Sequence, residues 1–231
     1  MEEGSEPVHT VALIGEDGAG KTTVARQLAK TLPWPSKYLY MGLSVESSNW
    51  PLPTTVLARV IKARLLREPK NGQGRLSGED LQSEGGSDAH GPIWLAARLL
   101  NRIAEIWWRH LISLIYQLQG FMVIYDRHFL FETVVDDNGV SSREKWFDHL
   151  EHWIVDKTYP RPDLAIILEA PAEVLHHRKK EKDIDYLERR MKMTRKMGRT
   201  MPAVIVVDAS RPLEEVLADV KQLIVQHHGW T

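Results

Sequence analysis

The stretch LIGEDGAGKTT, residues 13–23, constrains the fold more than any other part of the chain. An apolar run, VHTVALIG at 8–15, leads into three glycines, Gly15, Gly18 and Gly20, and the pattern KTTVARQLAKTL then opens a helix. Gly15, Gly20, Lys21 and Thr22 fit the spacing G-x-x-x-x-G-K-[ST], which is informative when a strand precedes it and a helix follows. The glycines let the backbone turn tightly and aim several N–H groups at phosphate oxygens, where a Cβ would block the approach. The amino end of the helix adds its positive dipole. Gly15, Glu16, Asp17, Gly18, Ala19, Gly20, Lys21, Thr22 and Thr23 are therefore expected to cradle the phosphates of a nucleotide. Lys21 is placed to reach the β- and γ-phosphates, and the Thr22 hydroxyl to ligate Mg²⁺. Asp17 can orient an acceptor group or a bridging cation.

Four more apolar runs read as buried strands: KYLYM (37–41), FMVIY (121–125), DLAIILE (163–169) and AVIVVD (203–208). Helical patterns lie between or after them, at 21–31, 93–119, 143–157, 172–197 and 212–228. Strands alternating with helices predict an α/β fold with a parallel sheet covered on both faces, which also explains runs without polar alternation. The 231 residues suit a single domain, with 67–92, rich in glycine and poor in apolar residues, as a flexible insertion or a substrate lid.

Two further sites come from the residues themselves. FMVIYDRHF puts Asp126 at the carboxyl end of a buried strand, where open α/β sheets bind ligands. Asp126 is expected to hold Mg²⁺ beside Thr22, in preference to the rival Glu169, because Arg127 next to it can clamp a phosphate. His128 is expected to pack or cap rather than act as a base. On 93–119, Arg98, Arg102, Glu105 and Arg109 are 4, 3 and 4 residues apart and form one polar stripe on an otherwise apolar helix. The stripe either faces solvent or lines a cleft in which Arg98 or Arg102 touches an acceptor phosphate. Trp107 and Trp108 read as core, and His149 and His152 as surface.

Charge narrows the partners. Lys plus Arg is 30 and Asp plus Glu 31, so the net charge of −1 argues against duplex nucleic acid. The excess of base is local: residues 176–199 hold ten Lys/Arg against four Asp/Glu. Such a segment suits a helical lid over phosphates, with Arg178, Lys182 and Arg189 as its cations. There are no cysteines, which removes disulfides and thiolate chemistry. The acidic opening MEEGSEPVHT lacks signal-peptide form and the apolar stretch 93–118 carries too many charges for a membrane span, so a cytoplasmic protein is expected.

Together GEDGAGKTT, DRH, APAEVLHHRKKEKDIDYLE and VVDASRPLEEV resemble the thymidylate kinase branch of the P-loop nucleoside and nucleotide kinases over roughly residues 8–226. The resemblance implies a P-loop NTPase fold with a five-stranded parallel sheet, a basic helical lid, and ATP with Mg²⁺ as donor. It implies that Arg127 holds the acceptor phosphate, that Arg178 and Lys182 stand where lid arginines stand, and that the loop carrying Ser210 borders the adenine. Lys182 replaces a family arginine. The acceptor region departs further. YMGLSVESS follows the second strand where the family carries Arg-Glu-Pro, and Phe131 with Val135-Asp136 replace the groups that would read thymine. The resulting expectation is an ATP-dependent kinase acting on a small phosphorylated acceptor, a nucleoside monophosphate, with Lys21, Asp17, Arg127 and Arg178 at the reacting phosphates. A kinase of a hydroxyl acceptor, or a non-catalytic nucleotide-binding module, is the alternative; a homodimer is compatible with either.

Overall fold

The computed structural model describes residues 9–42, 49–52, 92–132, 142–180 and 182–227. Five parallel strands run in the order β2-β3-β1-β4-β5: β1 (Thr10–Ile14), β2 (Ser36–Tyr40), β3 (Met122–Asp126), β4 (Leu164–Glu169) and β5 (Val204–Asp208). The described helices are α1 (Lys21–Thr31), α2 (Pro92–Leu118), α3 (Phe129–Glu132), α4 (Ser142–Thr158), α5 (Ala172–Arg178), α6 (Ile184–Gly198) and α7 (Leu213–His227). The α/β P-loop architecture read from the sequence is present.

The sheet explains its own sequence. Every residue of β1 and β3 is buried, because alternate side chains enter opposite cores. Val11 and Leu13 join α1 and α7 through Val24, Leu28, Val220 and Ile224. Ala12 and Ile14 join α2 and α4 through Ile106, Ile112 and Val155. The chain leaves β1 toward β2 and β3 on one side, while β4 and β5 lie on the other, so a crevice opens at the carboxyl ends around β1.

Two expectations change. The helix predicted over 172–197 is two helices, broken after Arg178 by an extended Lys179 and restarted after an extended Asp183. Across this break His176 Nδ1 meets the Lys182 carbonyl at 2.8 Å. Helix α2 is also turned the other way. Its polar stripe is partly the buried side: Arg109 is 0% exposed and Glu105 5%. The charge is accommodated because Arg109 pairs with Glu105 at 2.9 Å and donates to the Gly42 carbonyl, while Glu105 accepts from the Leu52 amide at 3.0 Å. Trp107, Leu111, Leu114, Ile115 and Leu118 are left exposed instead. Trp108 packs against the core as expected, and Trp107 does not.

Residues 67–91 and Val135-Asp136 lie outside the described residues. Among the described residues no helix is long and apolar enough to cross a membrane.

Candidate nucleotide and phosphoryl-transfer site

The loop between β1 and α1 owes its shape to its glycines. Gly15 has φ +144, and a Cβ there would stand 2.3 Å from the Leu168 carbonyl oxygen. Gly20, at φ 85, is the residue from which α1 starts, and no acidic side chain occupies the first turn. The positive amino end of the helix therefore opens onto the crevice without an internal counter-charge.

Lys21 is 5% exposed. Its ammonium donates to the Glu16 carbonyl at 2.8 Å and lies 3.9 Å from Asp17 Oδ1. Burial, followed by repulsion from Arg127, pushes its pKa down to about 8. A polyphosphate seated in the loop reverses that balance and restores the proton. Nucleotide binding is therefore predicted to take up roughly 0.5–1 proton at pH 8.5 and almost none at pH 6.5. Affinity falls as pH rises through 8, where the free protein has lost the charge that the complex requires. Calorimetry in buffers of different ionisation enthalpy measures this directly, and pH-independent proton exchange would remove Lys21 from the phosphate contact.

Arg127 leaves β3 in a left-handed conformation, φ 70, with its amide bonded to the Leu13 carbonyl at 3.0 Å. That turn directs the guanidinium back over the loop. It pairs with Asp17 and, at 2.8 Å, with Glu132 at the end of α3. Gly42 leaves room for it, since a Cβ there would meet Arg127 Cδ at 2.7 Å. Burial works against both charges. It would raise the Asp17 carboxyl, but Arg127, Lys21 and Lys179 outweigh it and hold that carboxyl below the usual range. Burial would lower the Arg127 pKa, and Glu132 and Asp17 hold it above the usual value.

Gly15, Glu16, Lys21, Arg127, His128, Phe131, Glu132, Arg190 and Thr194 line a narrow cleft. The basic segment 176–199 approaches the cleft through residues other than Lys182 and Arg189. Arg190 Nε lies 3.7 Å from Glu16 Oε2, Thr194 donates to Glu16 Oε1 at 3.2 Å, and Lys179 stands 3.8 Å from Asp17. Lys182 points elsewhere, over the Tyr186 ring at 5.4 Å, and Arg189 is exposed. The helical period carried this signal: Leu187, Arg190, Met191 and Thr194 share one face of α6, and Arg189 falls off it. Glu132 had no such signal, because only the fold brings it to Arg127.

Arg178 and Ser210 meet on the other side of the loop. Arg178 donates to the carbonyls of Ala209 at 2.8 Å and Ser210 at 3.2 Å, and reaches Gly18 O at 3.5 Å. Arg98 and Arg102 are not among the residues lining the cleft. Arg102 pairs instead with Glu151 of α4 at 3.0 Å, binding two helices together. His128 is buried among the rings of Tyr125 and Tyr159, and burial first, then the charges of His110 and Arg161, push its pKa down to about 3. Glu169 is gripped by Arg195, at 2.6 Å for the shorter contact.

Asp126 is 0% exposed at the end of β3. The Tyr38 hydroxyl donates to its Oδ2 at 2.9 Å, and its Oδ1 has no partner. A single orphaned carboxylate oxygen on the α1 side of the sheet fits Mg²⁺, which takes one or two protein oxygens and fills its octahedron with water and phosphate. No group of three or more His, Cys, Asp or Glu suited to a metal occurs among the described residues.

No protein-family model matches the chain. A probable thymidylate kinase of Archaeoglobus fulgidus is 27% identical over 222 residues, covering 93% of each chain. A probable thymidylate kinase of Pyrobaculum calidifontis is 28% identical over 225 residues, covering 93% of this chain and 94% of its own. Among solved structures, a deoxyadenosine kinase from M. mycoides with bound dCTP aligns with a TM-score of 0.51 at 16% identity, over 94% of this chain and 99% of that one. That likeness concerns the fold. Similarity to these two relatives over 93% of the chain, together with the P-loop fold and the phosphate loop, supports a thymidylate kinase-like P-loop kinase of the nucleoside and nucleotide kinase type.

Proposed function

We propose that the protein transfers the γ-phosphoryl group of ATP to a nucleoside monophosphate. The observation that carries the proposal is Arg127: a permanently charged, bidentate group fixed beside Lys21, on the side of the loop away from Arg178 and Ser210. One cationic position for the donor phosphates and a second for an acceptor phosphate are what transfer between two phosphorylated molecules requires. The name of the two relatives supports a nucleotide acceptor.

In this reading an oxygen of the acceptor phosphate attacks the γ-phosphorus in line. The new P–O bond forms as the bond to the β,γ-bridging oxygen breaks, and the electron pair leaves with ADP. A monophosphate dianion needs no base, so the residues act by position and charge. Lys21 steadies the outer phosphates, Arg127 aligns the acceptor, and Lys179 and Arg190 of the 176–199 lid supply further charge. Thr22 and Asp126 would hold Mg²⁺, whose role is to neutralise donor phosphate charge.

One feature favours a second reading. Arg127 is already matched by two carboxylates, which an acceptor phosphate must displace. A hydroxyl acceptor would leave that pairing intact and use Asp17 to take its proton. ADP release measured across nucleoside monophosphates, nucleosides and phosphorylated sugars separates the two. Turnover confined to monophosphates is expected; turnover confined to nucleosides installs the second reading, and silence across the panel overturns both.

The apolar stripe of α2, with Leu118 80% exposed at its end, supports pairing of two copies through that helix. Sedimentation equilibrium is expected to give twice the chain mass, with Leu114→Glu returning it to the monomer value. A monomeric wild type would contradict this.

A further inference from the structure

We propose that Tyr38 is a positioning residue for the nucleotide's metal ion, holding the Asp126 carboxylate so that its free oxygen faces Thr22. This rests on the reading above, in which Thr22 and Asp126 hold Mg²⁺.

Strand register brings the two residues together. In the β2–β3 pair, Tyr38 lies opposite Ile124 and Tyr40 opposite Asp126. Tyr38 is thus a diagonal neighbour of Asp126 on one face of the sheet, within reach of a long aromatic side chain. That face is the α1 face, since Tyr38 packs against the core cluster that contains Val24 and Leu28 of α1 and Ile124 of β3. Arg26 of α1 lies over the Tyr38 ring, 5.3 Å from its centroid, and Thr22 is one helical turn before Arg26. Thr22, Arg26, Tyr38 and Asp126 therefore follow one another along the seam between helix and sheet.

The hydrogen bonding at Asp126 is lopsided. Oδ2 accepts from the phenol at 2.9 Å, and Oδ1, equally buried, accepts from nothing. A carboxylate with one oxygen pinned loses its freedom to rotate, and its other oxygen becomes a fixed acceptor. In this pair the phenol O–H donates and the carboxylate oxygen accepts. A structural pair would satisfy both oxygens, whereas a group that orients a metal ligand leaves one open.

Tyr38→Phe deletes a single oxygen and leaves the ring against Arg26. The readout is Mn²⁺ affinity in the presence of the non-hydrolysable ATP analogue AMP-PNP, followed by the electron paramagnetic resonance of free Mn²⁺. Loss of such an orienting bond weakens metal binding about 10–100-fold, so a Kd raised about tenfold is expected, with metal-free AMP-PNP affinity unchanged. Asp126→Asn is expected to weaken Mn²⁺ at least as much, and adding Tyr38→Phe to it is expected to change nothing further, because the phenol acts only through the carboxylate. If Asp126→Asn weakens Mn²⁺ and Tyr38→Phe does not, or if the two effects simply add, the positioning role is overturned and the metal site stands. If Asp126→Asn leaves Mn²⁺ affinity unchanged, the metal site itself is overturned, and the role of Tyr38 with it.

Discussion

Lys21→Met lowers kcat/KM for ATP-dependent transfer by about 10²–10³-fold, the loss that follows removal of one preorganised charge contact in a water-poor site. The variant keeps the aliphatic stem, so the packing around α1 is preserved. It also removes an ammonium that is 5% exposed and whose pKa burial holds at about 8. A charge kept in that environment without phosphate is a burden on the folded state. The thermal midpoint of the variant should therefore equal or exceed that of the wild type while activity collapses. This opposition is the diagnostic part, because a core residue loses stability when truncated and a ligand contact need not. Normal turnover in Lys21→Met, or unfolding at a clearly lower temperature, would contradict the assignment. Steady-state kinetics and a thermal melt on one preparation decide it.

Arg127→Ala raises the acceptor KM by about 100-fold and changes the ATP KM by less than about 3-fold, if the acceptor carries a phosphate. Removing one side of a desolvated charge pair commonly costs 2–5 kcal/mol, and Arg127 is the residue proposed to meet that phosphate. The same substitution leaves Asp17 and Glu132 without their shared partner. Some loss of stability follows, tempered because both carboxylates are partly exposed. Arg127→Gly is the control. The native φ of 70 strains any residue with a Cβ, so the glycine variant should lose the same acceptor affinity yet melt no lower than the alanine variant. An acceptor KM that barely moves, together with loss of turnover in Asp17→Asn, would shift the chemistry to a hydroxyl acceptor.

What could be read in the sequence was what depends on local pattern. Strands buried on both faces announce themselves as continuous apolar runs, so DLAIILE became β4 within a residue. The phosphate loop was legible because backbone geometry dictates its glycines and dictates nothing else so narrowly. Where the reading missed, tertiary contact decided. Helix α2 carries apolar residues on most faces, and nothing in its periodicity shows that Arg109 can be buried once Glu105 and the Gly42 carbonyl receive it. The break between α5 and α6 lies in the charged run Lys179–Asp183, which a helical pattern reads through. Arg190 was recoverable from the buried face of α6; Glu132 and Tyr38 were not. Their roles exist only because α3 follows Arg127 directly and β2 pairs beside β3.

The central claim is that main-chain amides and Lys21 at the β1–α1 junction hold the triphosphate of ATP. Calorimetric titration of folded wild type and Lys21→Met with MgATP tests it most directly. One saturable site per chain in the wild type, weakened at least tenfold in the variant, is the predicted result. No heat of association in folded wild type at any buffer ionisation enthalpy, or equal affinity in both proteins, would contradict it.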